Sequence, residues 1–364
     1  MPNDMTENKH LQWIEIEGYK SIKKAKIDFT PINIIIGANG SGKSNLISIF
    51  DFFRALADGR LSKFGSASHV FHFGTKETKK MKVSMKVDKN SYHGTFEESF
   101  FGNSIVIDDE YCKIETSDKT YSLEIIVSDS GLAEVDENSN TVQGYTKHYM
   151  NSCKVHHFHD TSSSAGFKKP QDAGEHYFLQ KDGGNIAPFL YNLKEKNYGV
   201  YKDIVQSVQA VAPYFKDFFL EVEEESFGDD TIVLRWKHVD NDDATFTAYH
   251  LSDGTARFIL MAALFLQPKP PKTIVLDEPE LGLHPKALAV LADIIKSVSK
   301  TTQVICSTQS VEFANHFEPE DFIVVDQKNG ISEFSRPKTE DLEMWLEEYG
   351  MGDIWCKNLI GGRP

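Results

Sequence analysis

The sequence predicts an α/β fold with a mixed or parallel core sheet, and three stretches of chain carry that prediction. Residues 37–44 read Gly-Ala-Asn-Gly-Ser-Gly-Lys-Ser, between the apolar run Ile32–Ile36 and a segment, Asn45–Arg54, with apolar residues at helical spacing. Residues 273–278, Thr-Ile-Val-Leu-Asp-Glu, form an apolar β-rich run ending in two adjacent carboxylates. A strand without polar alternation is buried on both faces and belongs inside a parallel sheet. Between these stretches, residues 81–128 alternate apolar and polar, the period of antiparallel strands with one wet face.

The octet is a complete G-x-x-x-x-G-K-[ST] loop in the strand–loop–helix context that the motif needs. Glycines let the backbone wrap a polyphosphate and aim its N–H groups at the oxygens. The dipole of the following helix favours the negative charge. Asn39, Gly40, Ser41, Gly42, Lys43, Ser44 and Asn45 are therefore the candidate nucleotide-binding residues. Lys43 is expected to reach the β- and γ-phosphates, and Ser44 to ligate Mg²⁺. A glycine turn that binds nothing is the bland alternative, and the flanking strand and helix argue against it.

The acidic pair stands where open α/β sheets bind ligands, at the carboxyl end of a strand. Asp277 is expected to hold the Mg²⁺ shell, and Glu278 to polarise the attacking water. About twenty residues earlier, Leu251-Ser-Asp-Gly-Thr255 precedes the apolar helical segment Ala256–Leu266. Ser and Asp are ordinary helix caps, so this pentapeptide means little alone.

Together these motifs resemble the ABC-type ATPase heads grouped with SMC, RecF and OLD-like proteins, over residues 11–56 and 245–330. Residues 251–255 resemble the L-S-G-G-Q signature and depart from it at Asp253 and Thr255. Ile14–Ile22 is similar to the family's first strand and turn, which implies that Lys20 and Ser21 lie beside the phosphates. Glu280-Leu-Gly-Leu-His-Pro285 matches the E-x-x-L-H-P D-loop of the RecF/OLD branch, and Gln303–Ser310 matches the switch strand. Most of the family has His where this chain has Gln309. Gln can donate a hydrogen bond to a γ-phosphate but cannot take up a proton near neutral pH.

The resemblance implies a P-loop ABC-type head, with an antiparallel β lobe and an inserted helical lobe, that uses ATP and Mg²⁺ as a slow ATPase. It implies a homodimer, ATP-dependent or constitutive, in which Ser252 and Gly254 act in trans on the partner's nucleotide. A γ-phosphate contacted from both sides gives the dimer a free-energy difference between ATP and ADP states, which is what lets a ligand shift an equilibrium.

At 364 residues and 40% hydrophobic, the chain has room for two or three domains. No run of eighteen apolar residues appears, which excludes a transmembrane helix and a membrane partner of that kind. The polar first residues lack the apolar core of a signal peptide. Four scattered cysteines without a C-x-x-C pair predict neither disulfides nor zinc, and point to the cytoplasm. A net charge of −15 argues against a globally basic nucleic-acid binder. Local clusters at Lys20–Lys26, Lys76–Lys82 and Lys168–Lys169 leave open both a solvated face and a DNA contact.

The organisation predicted is a discontinuous nucleotide-binding core, 11–60 and 245–335, with an antiparallel β lobe, 61–160, and a mainly helical lobe, 161–244. An acidic helix or tail, 336–364, ends it, with a helix over Asp341–Tyr349. Residues 186–219 carry one helical face through Phe215, Phe218 and Phe219, with Pro213 as a kink. His156-His157-Phe158-His159-Asp160 invites a metal reading, with His157 and His159 on one strand face. Two ligands do not close a site, and the family resemblance implies a Q-loop-like coupling segment here, which is favoured over metal binding. Asp182–Leu190 resembles the family's turn into a helix, and Asn185 as an ordinary N-cap fits equally well. Trp345, Tyr349 and Trp355 are expected to pack on the head or to mark a partner surface.

Roughly fifty-five residues follow Gln309, too few for a further domain of ordinary size, so no Toprim nuclease is expected. Three functions stay open: an ATP switch that controls a separate effector, as in anti-phage defence; a RecF-like head that binds DNA; and an ATP-holding module with little turnover.

Overall fold

The computed structural model describes residues 10–100, 102–117, 119–124, 129–224 and 228–363. The first stretch of chain forms β1 (Leu11–Tyr19), β2 (Ile22–Asp28), β3 (Ile32–Gly37), β4 (Lys80–Val87), β5 (Asn90–Glu98), β6 (Ile105–Ile114), β7 (Lys119–Ser122) and β8 (Lys154–His156). Its helices are α1 (Lys43–Ala57), α2 (Leu61–Phe64), α3 (Ala67–Val70) and α4 (Val142–Ser152). The middle supplies β9 (Gln171–Asp172), β10 (Phe215–Phe219), β11 (Val222–Glu223), β12 (Thr231–Ile232), β13 (Arg235–His238) and β14 (Asn241–Thr247), with α5 (Ile186–Lys196), α6 (Tyr198–Val211) and α7 (Asp253–Leu266). The last stretch adds β15 (Thr273–Asp277), β16 (Gln303–Ser307), β17 (Phe322–Lys328) and β18 (Ile331–Ser335). Its helices are α8 (Pro285–Val298), α9 (Val311–Ala314), α10 (Glu343–Leu346) and α11 (Met351–Cys356).

The chain divides into two compact units. One holds the described residues up to Val155 together with Pro271–Asp277 and those from Ser299 onward; the other holds His156–Pro270 and Glu278–Val298.

The first unit contains two six-stranded sheets. The core sheet runs β18-β17-β3-β16-β15-β8. Strands β17, β3, β16 and β15 are parallel neighbours, and β18 is antiparallel to β17, so the sheet is mixed. Strands β3 and β16 are buried at every position, as apolar runs without alternation require. The second sheet, β2-β1-β4-β5-β6-β7, is antiparallel throughout and keeps the period-two pattern of one buried face. Helix α1 packs in one apolar cluster with both sheets: Leu46, Phe50 and Phe53 share it with Ile16, Val83 and Tyr92 of one sheet and Val275, Ile305 and Val325 of the other. Two apolar neighbours explain why its buried residues cover more than a single helical stripe. Phe52 stands edge-on to Phe96 at 5.0 Å and to Phe64 at 5.1 Å.

The second unit is built on α5, α6, α7 and α8, with α7 in contact with the other three, and carries two three-stranded sheets, β10-β13-β14 and β11-β12-β9. From Thr255 to Phe265 only Arg257 in α7 escapes burial.

Several expectations change. The helical face expected through residue 219 stops at Val211, and Phe215–Phe219 is a strand paired with β13. Pro213 ends the helix rather than kinking it, and Phe215 and Phe218 bury themselves beside Trp236 and each other. The C-terminal helix expected over 341–349 is one turn, Glu343–Leu346, with Met344 86% exposed; no buried face supports a longer helix. Strand β7 ends at Ser122, and the remainder of that expected strand, 125–127, lies outside the described residues. Lys168 is not part of a solvated basic cluster: it is buried and donates to the Thr161 carbonyl at 2.5 Å. Among the described residues no helix is long and apolar enough to cross a membrane.

Candidate nucleotide-binding site

The loop Gly37–Ser44 leaves the carboxyl end of β3 and enters α1, whose first residue is Lys43. Its glycines are demanded by space as well as by torsion. A Cβ on Gly37 would overlap the Val325 carbonyl oxygen, and one on Gly42 (φ 115°) would overlap Ser332 Oγ. Gly40 (φ 78°) has open space around it, and Asn39, Gly40 and Ser44 are exposed. The loop therefore has a tight floor and an open mouth. Lys43 is buried; its Nζ donates to the carbonyls of Gly37 at 2.6 Å and Ala38 at 3.1 Å.

The turn after β1 lies against this loop. Ser21 Oγ accepts from Asn45 Nδ2 at 2.7 Å and lies in hydrogen-bond contact with Ser332 Oγ at 2.7 Å. Lys20 has a left-handed backbone (φ 46°), and its Nζ donates to Ser48 Oγ at 2.8 Å, one turn into α1 from Ser44. Burial holds its ammonium below the usual lysine range, and the charge of Asp51 partly offsets this. Thus the structure sets Ser21 beside the loop, and Lys20 on the side of the helix.

Strand order aligns the remaining first-unit candidates. Asp277 closes β15 opposite Ser307, and Ser307 stands opposite Ile35 of β3. Ser307 Oγ donates to Asp277 Oδ1. Gln309 is exposed, two residues beyond Ser307. Glu278, next after Asp277 and the first residue of the second unit's stretch Glu278–Val298, has a left-handed backbone (φ 46°). For a non-glycine residue that torsion costs of order 1–3 kcal/mol and clusters at functional sites.

In the second unit, exposed Ser252 caps α7: its Oγ accepts from Thr255 N at 3.1 Å and lies 2.9 Å from Thr255 Oγ1. Thr255, where the signature has Gln, thus takes part in the cap, and Tyr214 OH lies 3.1 Å from its hydroxyl. Gly254 has no room for a side chain because a Cβ would overlap the Gly282 carbonyl oxygen. Residues 280–283 therefore pack directly on the signature turn.

The segment after β8 leaves the strand at His156. The rings of His157 and His159 lie 6.1 Å apart, and no group of three metal-ligating side chains is found among the described residues. Asn185 stands at the start of α5 but does not cap it with its side chain. Instead its amide accepts from Gln180 N and donates to the carbonyls of Glu175 and Phe178, closing the preceding loop.

A family model described as "AAA ATPase domain" matches residues 10–203, more than half of the chain. This protein belongs to the AAA ATPase domain family. A second model, "AAA domain, putative AbiEii toxin, Type IV TA system", matches residues 150–315. Among solved structures, this AAA ATPase is similar to an Smc head bound to the C-winged helix domain of ScpA, at 16% identity and a TM-score of 0.57; the match covers 92% of this chain and 99% of that one. It is also similar to the Smc head with an extended coiled coil bound to the C-terminal domain of ScpA from Pyrococcus furiosus, at 16% identity and a TM-score of 0.52, covering 93% and 99%. The fold is that of a P-loop, ABC-type ATPase head of the SMC kind.

The residues of this AAA ATPase fit a nucleotide with its metal. Ser41 Oγ is buried in the loop with no hydrogen-bond partner among the described residues, so its hydrogen-bonding capacity is unmet. Lys43, Ser44 and Asp277 supply the charge and oxygen donors. Two contributors to the loop, and one residue within the second unit, escaped sequence reasoning. Ser332 of β18 donates its hydroxyl proton to the Ser41 carbonyl and lies 2.7 Å from Ser21 Oγ, and Gln327 Nε2 donates to the Gly40 carbonyl at 3.0 Å. No motif marks either residue. The third is Arg257, which donates to the carbonyls of Leu281 (2.6 Å), Phe158 (3.0 Å) and His159 (2.9 Å). It did carry a signal: it is the lone charge in the apolar run Ala256–Leu266.

Proposed function

We propose that this AAA ATPase binds and hydrolyses ATP with Mg²⁺ at the loop Gly37–Ser44. It closes head to head with a second copy and thereby switches a separate effector protein. The observation that carries the reading is the loop itself: a floor that excludes side chains at Gly37 and Gly42, an open mouth, and the buried Ser41 hydroxyl. In this reading the Gly40–Lys43 backbone and Lys43 Nζ bind the phosphates, and Asn39 and Asn45 border them. Ser44 and Asp277 hold the metal, which supplies charge neutralisation on the phosphates. Ser307, bonded to Asp277, orients that carboxylate. Glu278 takes the proton of the attacking water, and Gln309 donates toward the γ-phosphate.

The signature acts in trans. Ser252 and Asp253 are exposed and Gly254 is half-buried beside them, so the turn can be offered to a partner's nucleotide. The likeness over 150–315 to an AbiEii-type domain favours a toxin or defence setting, and the two Smc heads, each bound to ScpA, favour a protein partner. Replacing Glu278 by Gln tests the reading. The variant is expected to keep ATP affinity, lose roughly 10²–10⁴ in turnover, and run as a dimer with ATP in size-exclusion chromatography. Turnover equal to wild type would remove Glu278 from the mechanism. A wild type that binds ATP but does not turn it over would leave only the ATP-holding module.

A DNA-binding reading has one observation behind it. Register places Lys24 and Lys26 of β2 and Lys82 and Lys86 of β4 on one sheet face, flanking β1. Glu15 and Glu17 stand between them, and Glu17 lies 3.8 Å from Lys24, so the two carboxylates offset half of the four lysine charges.

A further inference from the structure

Resting on the ATP-binding reading, we propose that residues 350–363 form a strap that positions the phosphate loop and carries its nucleotide state to the buried Trp355. Both ends of this segment are seated within the first unit. At its start, α11 packs on α9, the helix that follows Gln309. Gly352 has no room for a Cβ because the Val311 carbonyl oxygen occupies that space, and Gly350 is closed in by Asn315. Asn315 Oδ1 accepts from Asp353 N at 3.1 Å. The strap therefore begins on the element that continues the switch strand.

At its other end the strap reaches the loop. Gly361 and Gly362 are both left-handed (φ 80° and 60°). A Cβ on Gly361 would lie 2.6 Å from Asp326 Oδ2, and one on Gly362 would lie 2.6 Å from Val324 Cγ1 and 3.4 Å from Gly37 Cα. Gly362 N donates to Asp326 Oδ1 at 2.9 Å. Strand β17 pairs Val325 with Gly37, so Asp326 fixes the strap beside the first glycine of the loop. Two adjacent left-handed residues at such close approach admit only glycine.

Trp355 joins the two ends. It is fully buried, and its indole N–H donates to the Gly362 carbonyl. Gly37 is where the chain turns out of β3 into the loop, so a displacement there presses on Gly362 and, through one hydrogen bond, on Trp355. Trp355 and Gly362 are positioning residues; neither has to touch the nucleotide.

The test uses the full chain labelled with 5-fluorotryptophan, in the Glu278→Gln background with Mg²⁺, followed by ¹⁹F NMR. There are four tryptophans, and Trp355→Phe assigns the resonance of interest. Addition of ATP is expected to shift the Trp355 signal, and Lys43→Ala to abolish that shift. Asp326→Ala, which frees the strap without adding bulk, is expected to weaken ATP affinity about tenfold, the effect of one hydrogen bond to a charged group. An unmoved Trp355 signal at saturating ATP, with Asp326→Ala binding as the parent does, would overturn the strap and leave ATP binding intact. Absence of ATP binding by the wild type would instead sink the functional reading, and the strap with it.

Discussion

At the residue scale, function rests on a few atoms whose places are set by exclusion. Gly42 is boxed in by Ser332 Oγ and lies 2.9 Å short of Ser21 Oγ at the Cβ position. Gly42→Ala must therefore push the loop off the β18 hairpin. It is expected to lose ATP affinity by about tenfold or more, read by titration with a fluorescent ATP analogue. Lys43→Ala removes the fixed cation the loop offers to the phosphates, and should abolish binding in the same assay. Wild-type affinity in that variant would mean the nucleotide binds elsewhere. The glycines, Lys43 and the acidic pair were legible in the sequence because phosphate binding restricts residue type at fixed spacing. Ser332 and Gln327 were not, because any hydroxyl or amide brought there by the β17–β18 hairpin could make their bonds.

At the element scale, α1 is the keystone of the first unit, held between an antiparallel sheet and a mixed one. Phe52→Ala removes a ring in edge contact with Phe96 and Phe64, and should cost about 3–5 kcal/mol in chemical denaturation. A loss under about 1 kcal/mol would mean that the site collapses around the deletion. Strands β3 and β15 were readable as continuous apolar runs, β16 only through the resemblance of Gln303–Ser310 to the family's switch strand, and the β4–β6 meander as alternation. Phe215–Phe219 was misread because an aromatic cluster at spacing three fits either a helix face or a twisted strand. The long-range partner β13 decides between them, and a local pattern cannot see it. In the second unit, Arg257 binds the signature helix to the turn before Gly282 and to the His157–Asp160 segment. Arg257→Ala is expected to leave ATP affinity of the monomer within about twofold and to reduce turnover by roughly 10²-fold, as misplacement of a distant positioning group does. Loss of affinity equal to the loss of turnover would place Arg257 in binding instead.

At the scale of the whole molecule, mixing experiments test how two copies share their sites. Ser252→Arg should block hydrolysis while the isolated head still binds ATP. Mixed with Lys43→Ala it forms one composite site with both lesions and one with neither, so part of the activity should return. A mixture that stays inactive while mixed dimers form would rule out a signature acting in trans. Duplex DNA, titrated against Glu278→Gln protein at two salt concentrations, should bind weakly and only with ATP, because Glu15 and Glu17 dilute the lysine face. Tight binding without ATP would favour the DNA-binding reading. One packing detail has a kinetic consequence. Gly254 and Gly282 touch backbone to backbone, and Arg257 ties their flanks, so the signature and D-loop cannot be presented one after the other. Each head in the proposed dimer then engages its partner in a single all-or-none event, and occupancy of one site raises the chance of productive closure over both. Turnover against ATP concentration should be sigmoidal, with a Hill coefficient above one and approaching two, and Arg257→Ala should flatten it toward a hyperbola.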